Sequence, residues 1–407
     1  MNEATLQFIN EHRMEDVRQL ALRGGGRQAD VDMPMALQQI AGWQVARKKL
    51  PSWAEVEGII YPPHLNMEQC SSEETALYKE SLTPCPSPSD RGVFVDLTGG
   101  FGVDFSYMSR AFERRIYVER NPELCEIARH NFQCLGLEAE VMCAEAEDYL
   151  KEMAPVDVIY LDPARRDQHG SRTYGIEDCS PNVIALLPLL REKANCIILK
   201  LSPMLDWRKA VSDLGGVCEV HIVSIDNECK ELLLVLGDKS SGELRVACVN
   251  EGRTFEFIPR GGTKRSMGWN KMFHGMEHLA TLRGEGGKAY LFEPNASIMK
   301  AGCFTEVGEV FGIQQLSDNS HLFISDRDIA DFPGHRFQIE ATSSMNRQEL
   351  KTALKDITQA NVAVRNFPMT AEMLRKKLKI KDGGNMFIFG TTLSDGSHQL
   401  FICRKIG

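Results

Sequence analysis

Between residues 91 and 237 short runs of apolar and β-branched residues alternate with longer segments of helical periodicity. Strands are expected at 92–96, 115–119, 139–143, 156–161, 195–201, 219–225 and 231–236, with helices at 122–135 and 181–192 between them. Such alternation predicts a parallel sheet covered by helices on both faces, an α/β fold. The first eighty residues read as helical. Leu6, Ile9, Val17, Leu20 and Leu22 form one face, which stops at Gly24-Gly25-Gly26; a second segment runs from Pro34 to Ala46. A third helix is expected over Asn66–Leu82, with Ser71-Ser72-Glu73-Glu74 resembling a capped start. The proline-punctuated stretch Thr83-Pro84-Cys85-Pro86-Ser87-Pro88-Ser89 reads as a boundary. Beyond the central region a hairpin is expected at 243–258, turning at Asn250-Glu251-Gly252, followed by glycine-rich irregular sequence over 259–288. A second α/β pattern opens at Tyr290-Leu291-Phe292-Glu293-Pro294-Asn295-Ala296 and continues as helix 347–357, strand 361–365, helix 370–379, and strands 386–390 and 399–403. The expected division is therefore 1–88, 89–240, 241–335 and 336–407.

Composition narrows the class. A chain of 407 residues can bury several cores. No run of eighteen apolar residues is present, and Met1-Asn2-Glu3-Ala4 opens neither a basic region nor an apolar core of the secretory kind. Twelve cysteines occur without a C-x-x-C pair, as expected of reduced thiols in a cytoplasm. The net charge of −9 argues against a coat of nucleic acid over the whole surface, although binding follows the local field.

The chemistry concentrates at strand ends. Val93-Phe94-Val95-Asp96-Leu97-Thr98-Gly99-Gly100-Phe101-Gly102 is a strand running into a glycine-rich turn that exposes backbone N–H groups. Glu119 ends the next strand, Glu145 follows the third, and the fourth delivers Asp162-Pro163-Ala164-Arg165. Ligands of open α/β sheets bind beyond these carboxyl ends. A dinucleotide fingerprint would need a third glycine where Phe105 stands.

Over roughly 90–240 these motifs resemble the class I S-adenosylmethionine-dependent methyltransferases. The resemblance implies a Rossmann-like seven-stranded sheet, with the short loop joining the last two strands matching the family's antiparallel end strand. It implies S-adenosylmethionine as cofactor, held by Asp96, Thr98, Gly99, Gly100 and Gly102, by Glu119 and Arg120 at the ribose, by Glu145 and Ala146 beside the adenine, and by Asp162. Asp162, Pro163 and Arg165 are the implied catalytic positions. Gln69-Cys70-Ser71-Ser72-Glu73 occupies the place of the family's variable pre-sheet motif, and reads equally as an ordinary helix cap. The last seventy residues resemble the THUMP-like α+β domain appended to some bacterial methyltransferases; true THUMP domains bind structured RNA.

The acceptor is less sharply written. Exocyclic-amine methyltransferases carry a second proline and an aromatic where this chain has Ala164 and Arg165. Stacking on a base could come from the Arg165 guanidinium or from Tyr174. The 5-methyluridine enzymes need a cysteine where Ser202 stands, and Cys179 precedes that strand, so transfer without a covalent intermediate is expected. Arg165, Arg166 and Arg172 are candidate phosphate contacts or a solvated loop. From 342 to 381 nine Lys/Arg face three acids, with Arg375, Lys376 and Lys377 adjacent; the stretch is an RNA phosphate contact or a solvated helix face. Phe367 and Phe387 are expected in the core. The expected function is methylation of an RNA base in rRNA or tRNA; a protein or small-molecule acceptor and a non-catalytic cofactor-binding module are the alternatives. No metal and no membrane are expected. His274-Gly275-Met276-Glu277-His278 matches an inverted zinc-peptidase pattern, but Gly275 and the glycine-rich surroundings oppose the helix it needs.

Overall fold

The apolar runs of the central stretch become strands because their alternate residues find packing partners on both faces of one sheet. They are β1 (Val93–Asp96), β2 (Arg114–Glu119), β3 (Glu140–Cys143), β4 (Val156–Leu161), β5 (Ala194–Leu201), β6 (Val217–Ile225) and β7 (Glu228–Leu236). The structure, a computed structural model, describes residues 1–23, 30–84, 92–165, 175–237, 242–259 and 288–406, with Arg23 and Arg165 described by backbone alone. Arg166, Arg172, Tyr174, His274 and His278 lie outside the described residues.

In a nine-stranded sheet these seven lie in the order β6-β7-β5-β4-β1-β2-β3, and a hairpin over 245–257 continues the sheet beside β6. β1 pairs parallel with both β2 and β4, β2 with β3, and β4 with β5. β7 runs antiparallel to β5. The chain winds one way from β1 to β3 and the other way from β4 onward. The crevice at the carboxyl ends of β1 and β4 is thus a topological switch point.

The described chain forms two compact units, Met1–Val220 with Leu232–Leu244, and His221–Glu231 with Arg245–Gly407. The N-terminal helices belong to the first unit and share its core. Ala46, Leu50, Trp53, Tyr61 and Met67 pack in one cluster with Phe101, Val103, Tyr107 and Leu124. Asn131, fully buried, fastens this layer: its side-chain amide donates to Ile60 O at 2.9 Å and accepts from Ile60 N–H at 2.8 Å. Two expectations need correction. The helical face over 6–22 is split between Glu3–His12 and Val17–Arg23, and the expected helix Asn66–Leu82 is two helices, His64–Gln69 and Glu73–Leu82. The second break has a physical cause. Ser72 caps the later helix by accepting from Thr75 N–H, while Ser71 turns its hydroxyl inward to Asp104.

In the second unit a hairpin, β8 (Arg245–Asn250) and β9 (Arg253–Phe257), turns through Glu251 and Gly252, both with positive φ. Seven further strands follow: β10 (Ala289–Pro294), β11 (Gln314–Gln315), β12 (Phe323–Ser325), β13 (Gly334–Ser344), β14 (Asn361–Arg365), β15 (Met386–Thr392) and β16 (His398–Lys405). Their order is β11-β12-β10-β13-β16-β15-β14. Period-two patterning fills two cores: Phe389, Phe401 and Cys403 face one side with Phe337, while Ile388, Leu400 and Ile402 face the helices on the other with Leu374. Phe387 and Phe367 pack against these cores, as their spacing predicts.

Candidate functional site

The glycine turn after β1 is shaped by what surrounds it. A Cβ on Gly99 would lie 2.1 Å from the Tyr117 ring, so only glycine lets the turn lie against β2. Gly102 has φ +85, and a Cβ there would meet Phe132 at 2.9 Å. The turn is tied down by Gly99 N–H to Val118 O at 2.9 Å and by the Tyr117 hydroxyl donating to Gly100 O.

The strand-end acids expected from sequence gather along this turn. Asp96 is 1% exposed, and its Oδ1 accepts from Thr98 N–H at 2.9 Å. Burial, with Asp104, Asp162 and Glu119 nearby, pushes its carboxyl well above the usual range. The Thr98 hydroxyl accepts from Asp162 N–H at 2.6 Å, so the first and fourth strand ends are stitched together. Glu119 is half-buried; one of its oxygens accepts from Gly100 N–H at 2.9 Å and the other from Asn121 N–H at 2.8 Å. A carboxylate has about four lone-pair sites, so two remain for a vicinal diol. Glu145 stands exposed at the start of helix Ala146–Glu152, where its side chain makes no capping bond, and Ala146 beneath it is buried. The adjoining Ala144 N–H reaches Glu119 O at 3.2 Å. These features fit a cofactor with a ribose and an adjoining base laid across the ends of β2 and β3. Arg120 is exposed on the same rim.

Pro163 is buried, and Ala164–Arg165 forms a two-residue antiparallel bridge with Cys179–Ser180. Cys179 is buried in that bridge, and Ser202 follows the end of β5. Arg375, Lys376 and Lys377 fall in the second unit, on helix Ala371–Leu378. Among the described residues no cluster of three His, Cys, Asp or Glu could hold a metal ion. No helix among them is long and apolar enough to cross a membrane.

Sequence reasoning missed a charged cluster below the turn. Lys79, fully buried, lies 3.2 Å from Asp104 Oδ1. Asp104 Oδ2 accepts from the Tyr160 hydroxyl at 2.7 Å and the Ser71 hydroxyl at 2.8 Å. Lys200 reaches Asp104 at 3.6 Å and Asp162 Oδ2 at 2.6 Å. Burial would raise the Asp104 carboxyl, but Lys79, Lys200 and the two hydroxyls outweigh it and hold it at about 2. The available signal was a lone charge inside an apolar run, as with Lys200 in Cys196-Ile197-Ile198-Leu199-Lys200-Leu201. Such a charge is buried only when paired.

Comparison with known proteins identifies the family. The family described as THUMP domain-like matches residues 334–405, and that described as a ferredoxin-like domain matches 290–333. Two proteins of Mycobacterium tuberculosis, from strains CDC 1551 and H37Rv, are named as uncharacterised S-adenosylmethionine-dependent methyltransferases. Each is 22% identical over 352 residues, covering 84% of this chain and 91% of its own. A crystal structure from Porphyromonas gingivalis W83, of a protein named as a candidate methyltransferase, is 30% identical with a TM-score of 0.81 and covers 99% of this chain and 98% of that one. The match along nearly the whole length and the C-terminal match lead to one conclusion: this chain belongs to the S-adenosylmethionine-dependent methyltransferases and carries a THUMP-like domain at its C-terminus.

Proposed function

We propose that this methyltransferase methylates a base in RNA, by direct in-line transfer without a covalent enzyme intermediate. The observation that carries the acceptor is the THUMP-like match over 334–405, on the same stretch whose exposed helix bears Arg375, Lys376 and Lys377. Domains of the THUMP class bind structured RNA, and clustered cations are the electrostatic footprint of phosphate contact. Arg165, Arg166 and Arg172 are further proposed RNA contacts beside the reacting base.

When bound, S-adenosylmethionine supplies an electrophilic methyl group on a sulfonium. The protein's part is to hold acceptor and donor in near-attack geometry. Glu119 holds the ribose hydroxyls with its two remaining lone-pair positions, and Glu145 and Ala146 line the adenine end. Asp96 faces the methionine end. Asp162 accepts a hydrogen bond from the acceptor amine, fixed in place by the bond from its own N–H to Thr98. Pro163 holds the backbone that presents it. The direct mechanism is supported by Ser202 at the end of β5, where a covalent route would need a thiol, and by the burial of Cys179 in its bridge. A serine hydroxyl is a weak nucleophile toward a pyrimidine ring.

The test is mass spectrometry of RNA nucleosides from cells with and without the gene, followed by transfer of labelled methyl groups from S-adenosylmethionine to RNA from the deleted cells. A methylated nucleoside that vanishes on deletion and returns in vitro is expected. An unchanged nucleoside profile, with label entering protein instead, would replace RNA by a protein acceptor.

A further inference from the structure

Asp162 is 38% exposed in its side chain, and left alone such a carboxylate samples several rotamers. Two contacts restrain it. Its backbone N–H is bound to the Thr98 hydroxyl at 2.6 Å, and its Oδ2 accepts from Lys200 Nζ at 2.6 Å. Lys200 is itself confined, at 13% exposure, and its ammonium is held from behind by Asp104 at 3.6 Å. Asp104 does not depend on Lys200 alone, since Lys79, Tyr160 and Ser71 also reach it at 3.2, 2.7 and 2.8 Å. The short contact of Lys200 is with Asp162, and the long one with Asp104. A charge-assisted bond of that length is directional as well as strong.

We propose that Lys200 is a positioning residue for methyl transfer: it engages Asp162 Oδ2 and so fixes the carboxylate whose other oxygen meets the acceptor. The proposal rests on the reading of Asp162 as the acceptor-orienting group. Lys200 acts through Asp162 and leaves the ribose and adenine contacts untouched, so its loss falls on turnover and spares cofactor affinity.

The experiment measures kcat, cofactor affinity and thermal stability for Asp162→Ala, Asp162→Asn, Lys200→Met, Lys200→Arg, Lys79→Met and the double variant Asp162→Asn/Lys200→Met. Acceptors are total RNA and, separately, total protein from cells lacking the gene, with labelled S-adenosylmethionine as donor. Lys200→Met is expected to lose about 10²-fold in kcat, the scale of a misplacement of about 1 Å, with cofactor Kd unchanged within about threefold. Lys200→Arg, which still pairs with a carboxylate, should recover about a tenth or more of parental kcat. The double variant should be no slower than Asp162→Asn, because the two residues act as one unit. Lys79→Met should lower the melting temperature and leave kcat within a few-fold. Full kcat in Lys200→Met beside an inactive Asp162→Ala would overturn the Lys200 inference alone. Equal kcat losses in Lys200→Met and Lys79→Met would also overturn it, by tracing the effect to Asp104. Should Lys200→Met not fold, Lys200→Arg carries the test, and a folded Lys200→Arg that loses cofactor affinity in step with kcat overturns the proposal. Full activity in Asp162→Ala would instead remove the reading on which the inference rests, as would a parent protein that methylates neither pool.

Discussion

Asp96 and Asp104 sit eight positions apart in the chain, both buried, and folding treats them oppositely. Asp96 is raised chiefly by burial. The folded chain therefore holds its proton more tightly than the unfolded chain, and stability falls as pH rises out of the ordinary carboxylate range. Asp96→Asn removes that burden. In the absence of cofactor it should melt at a higher temperature than the parent, with a margin that widens as pH rises above the ordinary carboxylate range, while its affinity for S-adenosylmethionine falls. A margin independent of pH would show that Asp96 is not the burdened group. Asp104 runs the other way. Burial opposes its charge, but two ammonium groups and two hydroxyls overcome burial and lower it to about 2, so its contribution is present above the ordinary value of 3.8 and is lost as pH falls toward 2. Glu119 accepts from two backbone N–H groups, of Gly100 and Asn121. Glu119→Ala should weaken cofactor binding by about 2–4 kcal/mol, the loss of two charge-assisted hydrogen bonds. Calorimetry with the demethylated product reads this directly, and unchanged affinity would take Glu119 out of the site.

At the scale of elements, the N-terminal layer is held to the sheet's helical cover by polar side chains, Asn131 among them, as well as by apolar contact. Asn131→Ala would leave both the N–H and the carbonyl of Ile60 unpaired in a part-buried setting, costing about 1–3 kcal/mol. A lowered denaturant midpoint with an unchanged slope is the expected result. Seven of the sheet's nine strands could be read from sequence as an α/β pattern because apolar runs and strand-end acids are local signals, whereas that the 243–258 hairpin extends the same sheet was not legible. The glycine turn was legible for the same reason: Gly99 is demanded by Tyr117, on the next strand and close in sequence. The capped start at Ser71-Ser72-Glu73-Glu74 was legible and Ser72 is the cap, but the separate helix His64–Gln69 ahead of it was not, because the inward turn of Ser71 answers to Asp104, thirty-three positions away. The same holds for Lys79, which meets Asp104 across two packed helices, and for Lys200, which meets Asp162 from the neighbouring parallel strand. Helix periodicity marks Lys79 only as a polar position, and the apolar run around Lys200 says that it is paired but not with what.

At the scale of the whole molecule, charge is divided unevenly in an acidic chain of net −9. Helix Ala371–Leu378 buries Leu374 and leaves Lys376 and Lys377 exposed; Arg375 stands 3.5 Å from Asp382, and Lys376 2.7 Å from Glu372. Exposed pairs of this kind are weak and yield readily to phosphate. Arg365, by contrast, is engaged by Glu293, so the proposed phosphate surface centres on the helix. RNA affinity should fall by roughly 0.9 log units per log unit of salt for each duplex phosphate neutralised, or ~0.7 for single strands. Changing Arg375, Lys376 and Lys377 to glutamate should flatten that slope and weaken RNA binding and methylation together. Cofactor affinity should stay constant, since these residues and the glycine turn belong to different units. A folded triple variant with the parental salt slope and methylation rate would leave the helix a solvated face and move the acceptor away from RNA. The buried ammonium of Lys79 has one more consequence, for anyone who would lift the catalytic sheet out as a portable cassette. A fragment cut at the proline-punctuated boundary would strip Asp104 of the cation delivered by helix Glu73–Leu82 and bare Phe101, Val103 and Tyr107 to water. In evolutionary terms the helical layer is no detachable accessory. It and the sheet must be inherited, exchanged and engineered as a single piece.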